Sequence, residues 1–457
     1  MKESGKRLAI LSIAAFLTAT TSSSRPTRAG SPDIYALTGA RVVVSPGEVI
    51  DGGTVVVRDG LIEAVGRAIE PPPDATLIDL TGRTVTAGLI DACSDVGLRK
   101  AKKEKEEGRA EQKEDPPGAH HPIPLVRPES RVVDILAMDE DRLEKHRAMG
   151  FTSALVLPAS GIFRGQPALI DLGREGAGKS ILRPAVGQSI AFERGRFGRG
   201  YPTSLMGSIA AIRQTLLDAS RHAVWAERYR ANPRGMRRPE FVSANEALAD
   251  LVSGASPAIF DIDRGADVPR AIALAREFSL EAVVVASGLE SSEPGAIDSI
   301  KASGTPVILP LAFPEEPPVT DPDEALGVPL RDLEDWESAP GNPALFEERG
   351  IPFALGTCRL EKVDEFLPNL RKAIERGLSR DAALAALTTA PARMLEVEDI
   401  LGRVEKGMIA NLTVFEGEGD LFSKEVRVSH VFIDGVKIEI EKKDDKESSR
   451  KKPGDDR

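Results

Sequence analysis

Apolar residues fall into two rhythms along this chain. Between residues 34 and 86 they form short runs broken by polar positions: Ala40-Arg41-Val42-Val43-Val44, Thr54-Val55-Val56-Val57-Arg58, Leu61-Ile62-Glu63-Ala64-Val65 and Leu77-Ile78-Asp79-Leu80. Short runs rich in β-branched residues predict strands. Asp59-Gly60 between two of them predicts a type I′ hairpin turn, and Pro71-Pro72-Pro73 punctuates the segment. The same rhythm returns late in the chain. Asn411-Leu412-Thr413-Val414-Phe415 and Val426 to Ile433 read as strands, and Asp434-Gly435 turns into Val436-Lys437-Ile438-Glu439-Ile440. Neither end is long enough to bury a good core alone. Together they predict one small β-domain built from residues 34–86 and 396–440.

The middle, residues 87–395, alternates strand and helix patterns. Phe151 to Leu157 reads as a buried strand, and Leu205, Ile209, Ile212 and Leu216 mark a long helix over 204–230. Ala258 to Ile262 is a strand, followed by a helix over 267–278 and the strand Ala282 to Ala286. A helix over 294–303, the strand Val307 to Leu309, a helix over 343–349, the strand Phe353 to Gly356 and helices over 363–377 and 380–395 complete the series. Repeated β-α units of this kind fit a (β/α)8 barrel or a doubly wound sheet, and periodicity alone does not choose between them. Residues 99–131 open on a charge run and read as a solvated insertion; the tail 441–457 is rich in Lys and Asp and reads as disordered.

The chain has 457 residues, enough for more than one domain, and a net charge of −11, which argues against a nucleic-acid partner. Its first residues have the layout of a secretory signal. Lys2, Lys6 and Arg7 precede the apolar run Leu8 to Leu17, and Thr27-Arg28-Ala29 offers small residues before Gly30. That run is about half of the roughly 20 residues that span a bilayer. Residues 1–29 are therefore expected to be cleaved. The rest would be periplasmic or extracellular and not held at the membrane. Two cysteines, Cys93 and Cys358, in an exported protein raise the question of a disulfide. Gly173 to Ser180 matches the phosphate-loop pattern, but Pro184 falls where the required helix would begin, so a surface turn is expected. No Gly-x-Ser-x-Gly elbow is present.

Two segments together carry a family resemblance. One runs through Asp59-Gly60-Leu61-Ile62, Gly82-Arg83-Thr84 and Gly88-Leu89-Ile90-Asp91-Ala92. The other is Ala386 to Leu395 followed by Leu401-Gly402-Arg403-Val404-Glu405-Lys406-Gly407-Met408-Ile409-Ala410-Asn411-Leu412. Each resembles a signature of the amidohydrolase superfamily, near its exported imidazolonepropionase-like members, and the resemblance spans about residues 35–440. It implies a (β/α)8 barrel plus a β-sandwich made from both chain ends. It also implies a metal at the barrel mouth that activates water against an amide, lactam or imine carbon.

The ligand positions that the resemblance implies are altered here. The two His of the first strand correspond to Cys93 and Asp95, the next to Asp261 or Asp263, the next to Ala286, and the last-strand Asp to Cys358. All five His lie elsewhere, at positions 120, 121, 146, 222 and 430; structural or surface roles are expected, with His120-His121 a candidate surface metal pair. Because the first and last barrel strands are neighbours, the resemblance places Cys93 beside Cys358. Three states stay open there: a disulfide, two free thiols, or a zinc site using Cys93, Asp95, Asp261 or Asp263, and Cys358. Arg164 and Gln166, in a stretch resembling a loop over the mouth, are candidate contacts for a ligand carboxylate or amide.

The expectation is a degenerate hydrolase that binds a small amide or peptide, or serves as a partner subunit to an active paralogue or to its own copies. No cofactor is expected in that case. The alternatives are a working hydrolase of C–N bonds in small cyclic amides or dipeptides, with zinc, and a purely structural assembly protein.

Overall fold

Among the described residues the chain forms eighteen strands with intervening helices. The computed structural model describes residues 34–99, 120–174, 176–195, 201–293, 295–319, 321–419 and 421–441. The leader 1–29, positions 100–119 of the insertion and the tail beyond 441 lie outside the described residues. The first five strands are β1 (Tyr35–Ser45), β2 (Glu48–Arg58), β3 (Leu61–Gly66), β4 (Thr76–Asp79) and β5 (Arg83–Ala87). The middle supplies β6 (Leu89–Ser94), β7 (Phe151–Val156), β8 (Phe163–Gly165), β9 (Ala168–Asp171), β10 (Ile181–Arg183), β11 (Gln188–Ala191), β12 (Ala258–Asp261), β13 (Ala282–Val285), β14 (Val307–Pro310) and β15 (Phe353–Gly356). The last three are β16 (Leu412–Glu416), β17 (Arg427–Ile433) and β18 (Val436–Glu439).

Both ends of the chain enter one eight-stranded sheet, ordered β18-β17-β16-β5-β1-β2-β3 with β4 beside β1. β5 runs parallel to β1 and antiparallel to β16, with Val85 opposite Val414. Leu37, Val55, Val57, Val85, Val414 and Phe432 are buried in its core. The two turns anticipated from Asp-Gly pairs are there. Asp59 and Gly60 have φ of 51° and 79°, and Asp434 and Gly435 have 50° and 75°, the left-handed geometry that a type I′ turn requires.

Two further sheets lie in the middle: β10-β9-β7-β6, and β15-β14-β13-β12-β11-β8. From β11 to β15 every neighbour is parallel. The connections carry the helices Leu205–Ala231, Val268–Glu277, Ala296–Ser303 and Leu330–Ser338. Parallel neighbours need such crossovers, and the helices bury the outer face of the sheet. The edge strands β6 and β15 come together: Cys358 N donates to Cys93 O at 2.8 Å, just beyond the end of β15. A Cβ on Gly356 would sit 2.8 Å from Cys93 Cβ, so only glycine permits this approach.

Some expectations need correction. The stretch from Arg164 to Ile170, anticipated as a mouth loop, instead contributes to β8 and β9. The helix expected over 380–395 is two, Arg380–Ala385 and Thr389–Met394. Thr388 Oγ1 caps the first by donating to Leu384 O at 2.6 Å, and Pro391 can sit only in the first turn of a new helix. The phosphate-loop match leads into β10, with no helix to present N–H groups to a phosphate. No helix among the described residues is long and apolar enough to cross a membrane.

Candidate functional site

All six residues of β6 are buried, although the strand carries Asp91 and Ser94 among its apolar positions. Its end meets the segment after β15. There Cys93 and Cys358 form a disulfide with Cα atoms 5.3 Å apart, across a sequence separation of 265 residues. That spacing lies inside the range of roughly 4.4–6.8 Å that disulfides span.

Directly beside the bridge lies a chain of four polar side chains. Asp91, fully buried, accepts at Oδ1 from Thr357 N at 2.9 Å and from Cys93 N at 3.3 Å. Its Oδ2 is 2.5 Å from Thr357 Oγ1, which is 3.2 Å from Ser94 Oγ, which in turn is 3.3 Å from His146 Nε2. His146 sits on the helix Glu140–Ala148, with Nδ1 2.9 Å from Arg142 O. Burial raises the Asp91 carboxyl to about 7 in spite of its hydrogen bonds to Thr357, Ser94 and Cys93, and burial lowers His146 to about 4. The neutral imidazole donates from Nδ1 to the carbonyl, which leaves Nε2 as an acceptor. With Asp91 ionised, Thr357 Oγ1 donates to Oδ2; below about pH 7 the protonated carboxyl can donate to Thr357 instead, Thr357 to Ser94 and Ser94 to His146, so every member is satisfied without a buried charge.

Three of the other candidate positions, Asp95, Asp261 and Asp263, face arginines. Asp95 is exposed and hydrogen-bonds Arg142. Asp261, at the end of β12, is gripped from both sides. Arg164 Nη1 donates to Oδ2, and Arg359 Nη2 donates to Oδ1 at 2.9 Å. Arg359 has φ of 67°, a left-handed conformation uncommon for a non-glycine residue, and it also donates to Ile262 O. Arg164 further donates to Gly161 O at 3.2 Å and pairs with Glu193 at 3.5 Å. Asp263 is exposed, 3.7 Å from Arg359. Ala286 is buried and offers no side-chain donor atom. Gln166 joins through its backbone, bridging to Arg131.

The remaining histidines do not converge. His120 Nδ1 is 3.2 Å from Glu129, and the neighbouring His121 accepts from Ile123 N at 3.1 Å, so the pair is engaged separately. His222 contacts Glu240 O at 3.1 Å, and His430 contacts Ser429 Oγ at 3.0 Å. Among the described residues no three His, Cys, Asp or Glu side chains are grouped so as to hold a metal ion. The donor set does not fit the metal of the family resemblance. Its two sulfurs are bonded to each other, and two of its carboxylates are turned to guanidinium groups.

Sequence reasoning noted Asp91 only as part of a motif and assigned no role to Ser94, Thr357, Arg142 or Arg359. A lone carboxylate inside an apolar strand was the available signal, because such a group must find partners. Its distant partners left no trace in the spacing.

No protein-family model matches the chain. The solved structures it resembles are amidohydrolase-superfamily members. An amidohydrolase from Thermotoga maritima MSB8 aligns with a TM-score of 0.70 and 25% identity, covering 88% of this chain and 99% of that one. A Xaa-Pro dipeptidase structure aligns with a TM-score of 0.55 over 89% of this chain and 100% of that one; its 17% identity carries likeness of fold alone. In sequence, a dihydroorotase of Anaeromyxobacter sp. (strain K) is 30% identical over 178 residues, 35% of this chain and 40% of that protein. A dihydroorotase of Anaeromyxobacter dehalogenans (strain 2CP-C) is 39% identical over 59 residues, 13% of this chain. The chain thus spans 40% and 14% of the lengths of these curated relatives. The mixed α/β fold is therefore amidohydrolase-like.

Proposed function

We propose that the chain is a degenerate amidohydrolase: an exported (β/α)8 barrel with a β-sandwich built from both ends, which binds a small amide- or peptide-like ligand or a partner subunit in place of hydrolysing one. The observation that carries this reading is the Cys93–Cys358 disulfide. It stands where the resemblance calls for a metal ligand from the first strand and the metal-binding carboxylate of the last. A sulfur ligates a metal as a thiolate, and a disulfide has none to offer. The neighbouring carboxylate Asp261 is neutralised by Arg164 and Arg359, which removes the negative charge that would draw a cation. The side-to-side meeting of β6 and β15 supports closure of the two middle sheets into a barrel, and the likeness to the Thermotoga structure supports the family.

The test uses protein isolated from an oxidising compartment. Elemental analysis is expected to find no stoichiometric transition metal, non-reducing peptide mapping to recover a Cys93–Cys358 peptide, and a panel of lactams and dipeptides to give no turnover. Stoichiometric zinc together with hydrolysis of any panel member would overturn the reading in favour of a working hydrolase of C–N bonds.

A further inference from the structure

A cleft of about 440 Å³ opens past the C-terminal ends of β6 and β7, and neither Cys93 nor Cys358 lines it. Leu98 and Arg99 follow β6, Pro158 to Gly161 follow β7, and Arg164 lies in β8. Four arginines line it (Arg99, Arg127, Arg131 and Arg164), and no carboxylate among the described residues does. This is a cationic wall on a chain whose net charge is −11.

Two of the four have structural duties. Arg127 Nη1 donates to the carbonyls of His121, Ile123 and Val126 at 3.3, 3.3 and 2.9 Å. Arg164 is tied to Asp261 and Glu193. The other two, Arg99 and Arg131, are exposed and make no ion pair or side-chain hydrogen bond among the described residues. The rest of the lining is largely apolar, with Leu125, Val132, Ile135 and Pro158 among it.

We propose that this cleft binds a small carboxylate with an apolar body: Arg131, with Arg99, grips the carboxylate, and the apolar wall covers the body. A guanidinium presents a planar fork of donors that matches an oxyanion. Carboxylate and phosphate share that chemistry, and the apolar lining selects the first, because inorganic phosphate would leave it wet. The inference rests on the binding role proposed above and names its ligand class. It places the ligand off-centre, against the ends of β6 and β7 and away from the disulfide.

Isothermal titration of the intact chain with N-acetyl-L-leucine, N-acetyl-L-leucinamide and inorganic phosphate tests it. The acid is expected to bind and the uncharged amide to bind at least about tenfold more weakly, and phosphate is expected not to displace the acid. Arg131→Ala is expected to weaken the acid by about tenfold to a hundredfold, the worth of a charge-assisted hydrogen bond, and Arg131→Lys to recover part of it. Thermal unfolding of both variants should match the parent, since the side chain is exposed and unbonded. Equal affinity for acid and amide, full displacement by phosphate, an undiminished Arg131→Ala variant or no binding of the acid would each overturn the proposal. Metal content and hydrolysis would sink the proposed function while leaving the Arg131 dependence standing, so the two failures are distinguishable.

Discussion

Reducing the Cys93–Cys358 bridge should cost the protein much of its stability without changing a single residue. The bridge closes a loop of 265 residues, more than half of the chain. Chain-entropy reasoning assigns a cross-link of that span about 5.5 kcal/mol near room temperature, through the freedom it denies the unfolded chain. Residual structure in the unfolded state lowers the figure, so a loss of about 2 to 5.5 kcal/mol is expected. The assay is urea unfolding followed by the fluorescence of Trp225 and Trp336, with and without reductant, and thiol titration to establish the redox state. The reduced protein should unfold at lower urea. Its transition should also be steeper, because an uncross-linked chain exposes more surface. Superimposable curves from samples shown to be oxidised and reduced would refute the reasoning, since the span alone guarantees an entropic difference.

Three further outcomes follow from the same seam. Gly356→Ala places a Cβ 2.8 Å from both Cys93 Cβ and Cys93 N and should destabilise by about 1–3 kcal/mol, whereas Gly341→Ala, with open space around it, should not; equal urea midpoints for the two would contradict the packing argument. Asp261→Asn strips the shared anion from Arg164 and Arg359 and should lower the thermal midpoint, at a cost of about 1–3 kcal/mol; an unchanged midpoint would show that the pairing contributes nothing. The third concerns pH. Asp91, raised from 3.8 to about 7, holds in the folded state a proton that the unfolded chain has released, so its contribution shrinks as pH rises between those values. His146, lowered from 6.5 to about 4, contributes fully above 6.5 and loses that contribution as pH falls towards 4. Between about 4 and 6.5 folded and unfolded states each hold one proton on the pair, and the two effects cancel. Asp91→Asn removes one side of the balance. The stability difference between variant and parent should then widen, to the variant's disadvantage, as pH falls from 6.5 to 4, by about 1.4 kcal/mol per pH unit. A difference independent of pH would refute the assignment of neutral forms to both groups.

What could be read from the sequence was what local chemistry dictates. Both Asp-Gly turns were visible because type I′ geometry demands residues tolerant of positive φ. The parallel strands β12 to β15 stood out as apolar runs between helical patterns, as strands buried on both faces do. Strands β8 to β11 were missed: no helical pattern separates β8, β9, β10 and β11 from one another, and Arg164, Gln188 and Ser189 interrupt their apolar runs. At the site, single residues could be named from the sequence, but their states could not. Choosing between bridge, thiols and zinc required knowing that Cys93 and Cys358 come within 5.3 Å, a consequence of where β6 and β15 end. Arg359 shows the same limit. Nothing near it in sequence points to Asp261, 98 positions away.

The placement of β5 between β1 and β16 has a bearing on how the molecule is made. A nascent chain emerging from the ribosome can assemble β1 to β5 early, but the partner of β5 on its other side is not synthesised until residues 412–416. Until then Thr84, Val85 and Thr86 offer unsatisfied backbone groups along an open border, the kind that recruits stray strands. Fragments stopped before residue 412 should accumulate as insoluble material, and maturation should wait until β16 has been made.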